Sequence, residues 1–281
     1  MSEAQFQIQS LLGAVSRAPR SLLMLDYDGT LAPFHANRKQ ASPYPGVRSL
    51  LQEIHHCGNT RVAIISGRDA CEVVSLLGIE PRPEVWGLHG LQRWKTHGEP
   101  EVLAIEKRVV AALAAARDWL SYQNLEESAE FKVGSIALHW RGASEMDAES
   151  IRSRALLGWW PIAKGSGLDL LEFDGGVEIR TPGANKGDAV RAILDEMPLG
   201  TPAVYLGDDV TDEAAFHAIN GSGLSVLVRA QKRLTTAQAW LRPPDDVLKF
   251  LGGWLEASRR ASSNSATRNC ATGNCEALVS A

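Results

Sequence analysis

The chain has little cysteine, no long hydrophobic run and no surplus of positive charge. Its four cysteines, Cys57, Cys71, Cys270 and Cys275, are spread over 281 residues. That is too few for a disulfide framework at this length. The Cys270/Cys275 spacing lacks the second ligand pair of a zinc site. A reducing, cytoplasmic compartment is therefore expected. No stretch reaches the ~20 apolar residues of a membrane span, and the run Val109–Ala116 is bracketed by Arg108 and Arg117. Glu3 near the start, with no basic segment leading into an apolar block, argues against a secretory leader. Lys and Arg number 29 against 33 Asp and Glu, a net charge of −4. Neither nucleic acid nor a membrane is thus an expected partner. An anionic ligand would have to be held by a few placed cations or a metal. Nothing specifies an oligomer, and a monomer is expected.

What is present is ordinary globular composition, 44% hydrophobic and 22% charged, sized for one large domain or two ordinary ones. Short apolar runs at Leu22–Leu25, Val62–Ile65 and Val85–Leu88 are separated by stretches with helical spacing, Val47/Leu50/Leu51/Ile54 and Val73/Val74/Leu77. Runs buried on both faces and separated by helices read as parallel strands with crossover helices. The pattern returns late, with a helix over Val190–Met197, strands at Ala203–Leu206 and Leu224–Val228, and a short helix at Ala214–Ile219. The middle differs. A long helix spans Ile105–Leu120, Phe131–Arg141 is partly of period 2, a second helix covers Ile151–Trp160, and Leu168–Ile179 gives two strands broken by the Asp174-Gly175-Gly176 turn signal. This is an α+β module inserted into an α/β domain. The segment from Ser258 to Ser280 is rich in Ser, Asn, Ala, Arg and Thr and has no aromatic residue. It is expected to be disordered.

Four short segments carry the candidate chemistry. Asp26-Tyr27-Asp28-Gly29-Thr30 follows the first strand, where open α/β sheets bind ligands. Gly29 permits a tight departure, although the two acids could equally be solvated in a plain turn. Asp208, Asp209, Asp212 and Glu213 follow a later strand; such crowding of acids suits a hard divalent cation. A capped helix start with acids near the dipole explains Asp212 and Glu213 equally well. Ser66-Gly67-Arg68 opens a helix and can form an anion site or serve as an ordinary cap. Lys186 opens another helix, against the dipole, and reads as an anion ligand or as a surface lysine.

Taken together and in this order, the segments resemble the four motifs of the haloacid dehalogenase-like phosphohydrolases. Leu25-Asp26-Tyr27-Asp28-Gly29-Thr30-Leu31 and Tyr205-Leu206-Gly207-Asp208-Asp209-Val210-Thr211-Asp212-Glu213 carry the likeness. Within that superfamily the chain looks like the trehalose-6-phosphate phosphatase branch. The Gly87-Leu88-His89-Gly90 turn, Glu130-Phe131-Lys132, Leu138-His139-Trp140-Arg141 and Val177-Glu178-Ile179-Arg180 all fit it. Thr181 stands where that branch commonly has Pro, with little consequence expected. The resemblance covers roughly Leu22 to Trp254.

It implies an α/β fold, a Rossmann-like parallel-sheet core over 20–100 and 183–256 with an inserted α+β cap over 101–182; it excludes the tail, 257–281, whose expected disorder rests on composition alone. It further implies Asp26 as nucleophile and Asp28 as general acid and base. Mg²⁺ is expected on Asp26, the Asp28 carbonyl and Asp208. Ser66 and Lys186 would hold the phosphate, with Gly67, Arg68 and His89 also at the substrate. Asp209 and Asp212 would orient their neighbours. Glu130, Lys132, Arg141 and Glu178 would contact the sugar. The expected reaction is hydrolysis of trehalose 6-phosphate. The alternatives are another sugar phosphate as substrate, or a sensor without catalysis.

Overall fold

A computed structural model describes residues 3–35, 37–102, 104–173, 175–182 and 185–271, with side chains through residue 264. The chain divides into two compact units. The first runs through Glu101 and resumes at Asn185, and the second lies between.

In chain order the first unit begins with α1 (Glu3–Val15), β1 (Ser21–Leu25), α2 (Val47–His56), β2 (Thr60–Ile65), α3 (Ala70–Leu77), β3 (Glu84–Gly87) and β4 (Gln92–Trp94), with β5 (Glu101–Val102) at the junction. The second unit holds α4 (Lys107–Tyr122), β6 (Ala129–Lys132), β7 (Ser135–His139), α5 (Glu145–Ser166), β8 (Asp169–Phe173) and β9 (Gly176–Arg180). The first unit closes with α6 (Lys186–Asp195), β10 (Ala203–Gly207), α7 (Glu213–Ile219), β11 (Leu224–Val228), β12 (Ala239–Leu241) and α8 (Asp245–Ala271).

The large sheet has the order β12-β11-β10-β1-β2-β3-β4-β5. It is parallel from β12 through β3, and β4 is antiparallel to β3. Alternate residues of β1 serve opposite faces. Leu23 and Leu25 join a core with α2, α3 and α8, while Leu22 and Met24 join one with α6 and α7. A strand covered by helices on both sides has no polar face to show, which is why its sequence is a continuous apolar run. The return of the chain to β10, beside β1, makes the unit discontinuous in sequence and continuous in the sheet.

In the second unit the antiparallel order is β6-β7-β9-β8. Ile136, Leu138, Val177 and Ile179 pack on Val109, Ala116 and Leu120 of α4 and on Ala155, Trp159 and Ala163 of α5. The alternate positions, among them Glu130, Lys132, Ser135 and Glu178, fall on the other face by the period of two. The stretch read as one period-2 run is a hairpin that turns at Val133–Gly134, with Gly134 at φ +81. Thr181 is not silent here. Its backbone N–H and its Oγ1 both donate to the Gly134 carbonyl, at 2.8 and 2.9 Å, and a Pro could supply neither bond. Helix α5 is longer than its apolar stretch suggests. Ser144 caps it through Asp147 N–H, and Gly167 in the left-handed region stops it.

Two expectations about the ends need correction. The first unit includes α1, whose Ala4, Ile8, Leu11, Leu12 and Val15 pack on the core at helical spacing. The tail expected to be disordered from 257 is helical through Ala271, and Ala257, Ser258 and Ala261 are buried. These small residues make a flat helix face, and Ser258 finds polar partners. Asn59 Nδ2 donates to the Ser258 carbonyl at 2.7 Å, and Thr60 Oγ1 meets Ser258 Oγ at 3.0 Å. Composition underrates such a face because it contributes contact without large side chains. The remainder of that expectation, 272–281, lies outside the described residues, as do Asp174, Gly183 and Ala184 of the turns noted above. Among the described residues, no helix is long and apolar enough to cross a membrane.

At the far end of α6 a square of charges ties the helix to the sheet. Arg61 bridges Glu84 and Glu196, both at 2.7 Å, and Arg93 bridges the same two carboxylates at 2.8 and 2.7 Å. Hydrogen bonds from Arg93 hold the Glu196 carboxyl down at about 2, against some opposition from burial. Because the folded value lies below the unfolded 4.5, the stabilisation is complete above the unfolded value and disappears as pH falls toward 2. Glu196→Gln should therefore cost under ~1 kcal/mol near neutral pH, since the side chain is partly exposed. The difference from wild type should close at about pH 2 in urea melts.

Candidate active site

Strand register puts three of the four motifs at one sheet edge. Leu25 pairs with Ile64 of β2 and with Leu206 of β10, so Asp26, Ser66 and Asp208 all lie just past the carboxyl ends of adjacent strands. The backbone N–H of Asp26 extends the ladder to the Leu206 carbonyl at 2.8 Å. The chain then turns sharply. Leu31 and Ala32 N–H both donate to the Tyr27 carbonyl, and Gly29 sits at φ +80. A Cβ on Gly29 would come within 2.2 Å of Asp208 Oδ2. The missing side chain is what lets the two motifs approach.

The fourth motif arrives through a hydrogen bond. Lys186 Nζ donates to Asp26 Oδ1 at 2.6 Å and to Asp212 Oδ1 at 2.7 Å, and all three residues are buried. Thr30 Oγ1 donates to the other Asp26 oxygen at 3.0 Å. Asp212 also accepts from the Tyr205 hydroxyl at 2.5 Å and from the backbone N–H groups of Asp208 and Asp209, both at 2.9 Å. With four donors on two oxygens, Asp212 is saturated as an acceptor. It holds Lys186 Nζ on one side and the backbone of the acid loop on the other. Asp209 contributes its backbone to that arrangement and shares a capping box with Asp212.

Carboxylate oxygens of Asp26, Asp208 and Asp212 lie within 4.8 Å of one another. Burial pushes the Asp26 carboxyl up to about 7 despite Lys186, with Asp212 and Asp28 adding to the rise. Burial, with Asp26 and Asp212 close by, pushes Asp208 up to about 9. Burial alone would depress Lys186, but Asp212 and Asp26 together raise it above its usual range. One ammonium among three carboxylates leaves negative charge uncompensated. Asp212 is already saturated, so Asp26 and Asp208 are the oxygen donors that remain for a hard divalent cation. This buried, all-oxygen donor set fits such an ion.

The remaining predicted residues divide. The Ser66 hydroxyl accepts from Arg68 N–H at 3.2 Å and is buried. The His89 backbone N–H donates to the Ser66 carbonyl at 2.9 Å, and a Cβ on Gly67 would stand 2.6 Å from the His89 ring. Asp28 is not one of the three clustered acids. It is gripped by the buried Arg68 guanidinium, Nε to Oδ2 at 2.6 Å and the second nitrogen to Oδ1 at 2.7 Å. Arg68 also donates to Glu72 and to the Arg38 carbonyl. Arg68, expected at the substrate, is thus committed to holding Asp28.

In the second unit, Glu130, Ala137 and Glu178 stand in one cross-strand row. Glu130 Oε2 lies 3.4 Å from Lys132 Nζ and 3.6 Å from His139 Nε2, and Glu178 accepts from Ser135 Oγ at 2.8 Å. The exposed Arg141 lies beyond the end of β7, packed over Gly175, and is not part of this row. Tyr205, Thr30 and His139 stood inside the quoted motifs without a role of their own, and Arg233, which holds the Asp209 carbonyl at 2.7 Å, was not singled out at all. A hydroxyl inside the buried run of β10 was the available signal for Tyr205. Arg233 offered none.

A family model described as trehalose-phosphatase matches residues 24–242. A trehalose-phosphate phosphatase of Mycobacterium ulcerans is 30% identical over 250 residues, covering 83% of this chain and 61% of that protein. The chain therefore spans about three fifths of that relative's length. Among solved structures, the C-terminal domain of a C. albicans trehalose-6-phosphate phosphatase has a TM-score of 0.76 at 23% identity, covering 89% of this chain and 96% of that one. A haloacid dehalogenase-like hydrolase from B. subtilis has a TM-score of 0.60 at 15% identity, covering 83% and 99%. Both structures share the fold.

Removing the central cation should expose how much it holds. Lys186→Met leaves Asp26 facing Asp212 without compensation, so it should destabilise the metal-free protein by about 3–5 kcal/mol in chemical denaturation. A loss below ~1 kcal/mol would show that the carboxylates do not depend on the ammonium.

Proposed function

Because the chain belongs to the trehalose-phosphatase family, we propose that it hydrolyses trehalose 6-phosphate to trehalose and phosphate, with Asp26 as nucleophile and Mg²⁺ as cofactor. The observation that carries this reading is Asp26 itself: a buried carboxylate past a parallel strand, fixed by Lys186 and Thr30, with Asp208 beside it.

Phosphoryl transfer is chiefly a matter of positioning and of neutralising charge. Asp26 attacks phosphorus, the bond from phosphorus to the sugar oxygen breaks, and Asp28 gives that oxygen its proton. An aspartyl-phosphate results. Asp28 then takes a proton from the water that attacks phosphorus, which releases phosphate and restores Asp26. Bound by Asp26, Asp208 and the Asp28 carbonyl, Mg²⁺ would supply the positive charge that lets a carboxylate meet a phosphate. Lys186 offsets charge on Asp26 and on the transferred group, and Ser66 donates to a phosphate oxygen. Asp28 must release one arm of the Arg68 fork to act, so Arg68 sets its resting position. Gly67 and His89 shape the wall beside Ser66.

Sugar recognition is proposed for the polar row of the second unit. Glu130, Lys132 and Glu178 offer acceptors and a donor spaced along one sheet face. Such groups pair with sugar hydroxyls and reject sugars that leave them unpaired. His139, 3.6 Å from Glu130, joins them, with Arg141 at the margin.

Phosphate release across a panel of sugar phosphates tests the reading. Trehalose 6-phosphate should be turned over, chelation should stop release, added Mg²⁺ should restore it, and Asp26→Asn should abolish it. Turnover of other sugar phosphates alone would move the substrate, and no release from any would favour a sensor. Glu130→Ala should reduce turnover of trehalose 6-phosphate about tenfold or more beyond its effect on a small aryl phosphate, the cost of one charged hydrogen bond. An equal loss on both would remove the sugar role.

A further inference from the structure

The Asp208 carboxylate has an unusual support. Among the described residues no side-chain donor reaches it, although it is buried beside Asp26 and Asp212. Its position therefore depends on its backbone. The N–H is held by Asp212 from inside. The carbonyl side is held from the connection between β11 and β12, which folds back over the start of α7.

Arg233 makes most of that grip. One terminal nitrogen donates to Glu213 and to the Leu234 carbonyl, the latter at 2.8 Å. The other donates to the Asp209 carbonyl at 2.7 Å, and Nε faces the Asp208 carbonyl at 3.4 Å. Arg229 approaches that same carbonyl at 3.4 Å. Glu213 is itself fixed by three further donors. Thr235 Oγ1 reaches Oε1 at 2.8 Å, and Thr236 N–H and Oγ1 reach Oε2 at 2.9 and 2.7 Å. Arg233 and Glu213 are each about one-fifth exposed. The planar guanidinium has little freedom once Glu213 is clamped. It transmits that rigidity to two consecutive peptide groups of the acid loop.

We propose that Arg233 is a positioning residue for the divalent cation: clamped by Glu213, it fixes the Asp208–Asp209 backbone from outside, as Asp212 does from inside, and so aims the Asp208 carboxylate at the ion. This rests on the Mg²⁺ reading above. Groups that orient a metal ligand commonly change affinity by ~10–100-fold when removed. Planarity is essential, because a single ammonium cannot hold Glu213 and the Asp209 carbonyl along two fixed directions.

Calorimetric titration of Mg²⁺ into the chelator-treated full chain measures this without reference to turnover. Arg233→Met should weaken Mg²⁺ binding about tenfold or more, and Arg233→Lys should weaken it nearly as much. Thr236→Val, which removes only the Oγ1 bond to Glu213, should weaken it a few-fold. It also keeps the question open to measurement if the Arg233 variants fail to fold. Thermal melting of the metal-free variants separates this from a merely structural role, which would lower the melting temperature and leave the affinity of the folded protein alone. Variants that bind Mg²⁺ as wild type does would overturn the proposal and leave the Mg²⁺ reading standing. Full retention by Arg233→Lys would overturn the planar clamp. A wild type that binds no Mg²⁺ would overturn both.

Discussion

Everything at the sheet edge is arranged around one ammonium. Lys186 reaches Asp26 across 160 residues of sequence and Asp212 across 26. Three buried carboxylates within 4.8 Å would otherwise repel one another without relief from solvent. The ammonium makes their closeness tolerable and leaves a deficit that a divalent cation can fill. The same contact joins the two sequence halves of the first unit. The separation that makes the unit look interrupted is closed where the chemistry is proposed.

The support for this centre is layered. Tyr205, Lys186 and two backbone N–H groups occupy both oxygens of Asp212, which in turn holds Lys186 in place. Arg68 holds Asp28 in a bidentate grip at the margin of the cluster. At the opposite end of α6 the Glu84–Arg61–Glu196–Arg93 square fastens the helix whose first residue is Lys186. A ten-residue helix is about 15 Å long. Charged groups thus tie α6 to the sheet at both ends, about 15 Å apart.

The parallel strands were legible because burial on both faces leaves uninterrupted apolar runs. Asp26, Ser66 and Asp208 were legible because each sits where such a run stops. Lys186 was open to two readings in sequence, and only the fold brings it to Asp26. What stayed hidden has a common cause. Arg68 and Arg233 act on partners set by tertiary geometry, and an arginine on a loop has no period to betray it. Tyr205 was masked by its apolar neighbours. Thr181 was noticed as a departure, but its two bonds to Gly134 depend on the neighbouring hairpin. The helix around Ser258 was missed because its face is built from residues that composition treats as filler.

That last feature bears on where this fold can be cut. A boundary drawn at residue 257, where the sequence turns low in complexity, would pass through the first unit and not beside it. Asn59 would lose its carbonyl acceptor and Thr60 its serine partner, and the buried polar group that Thr60 shares with Ser21 and Trp254 would open to water. β2, which Thr60 begins, leads to Ser66. A shortened chain would thus loosen the strand that ends at Ser66 from its opposite end, with every motif residue still in place.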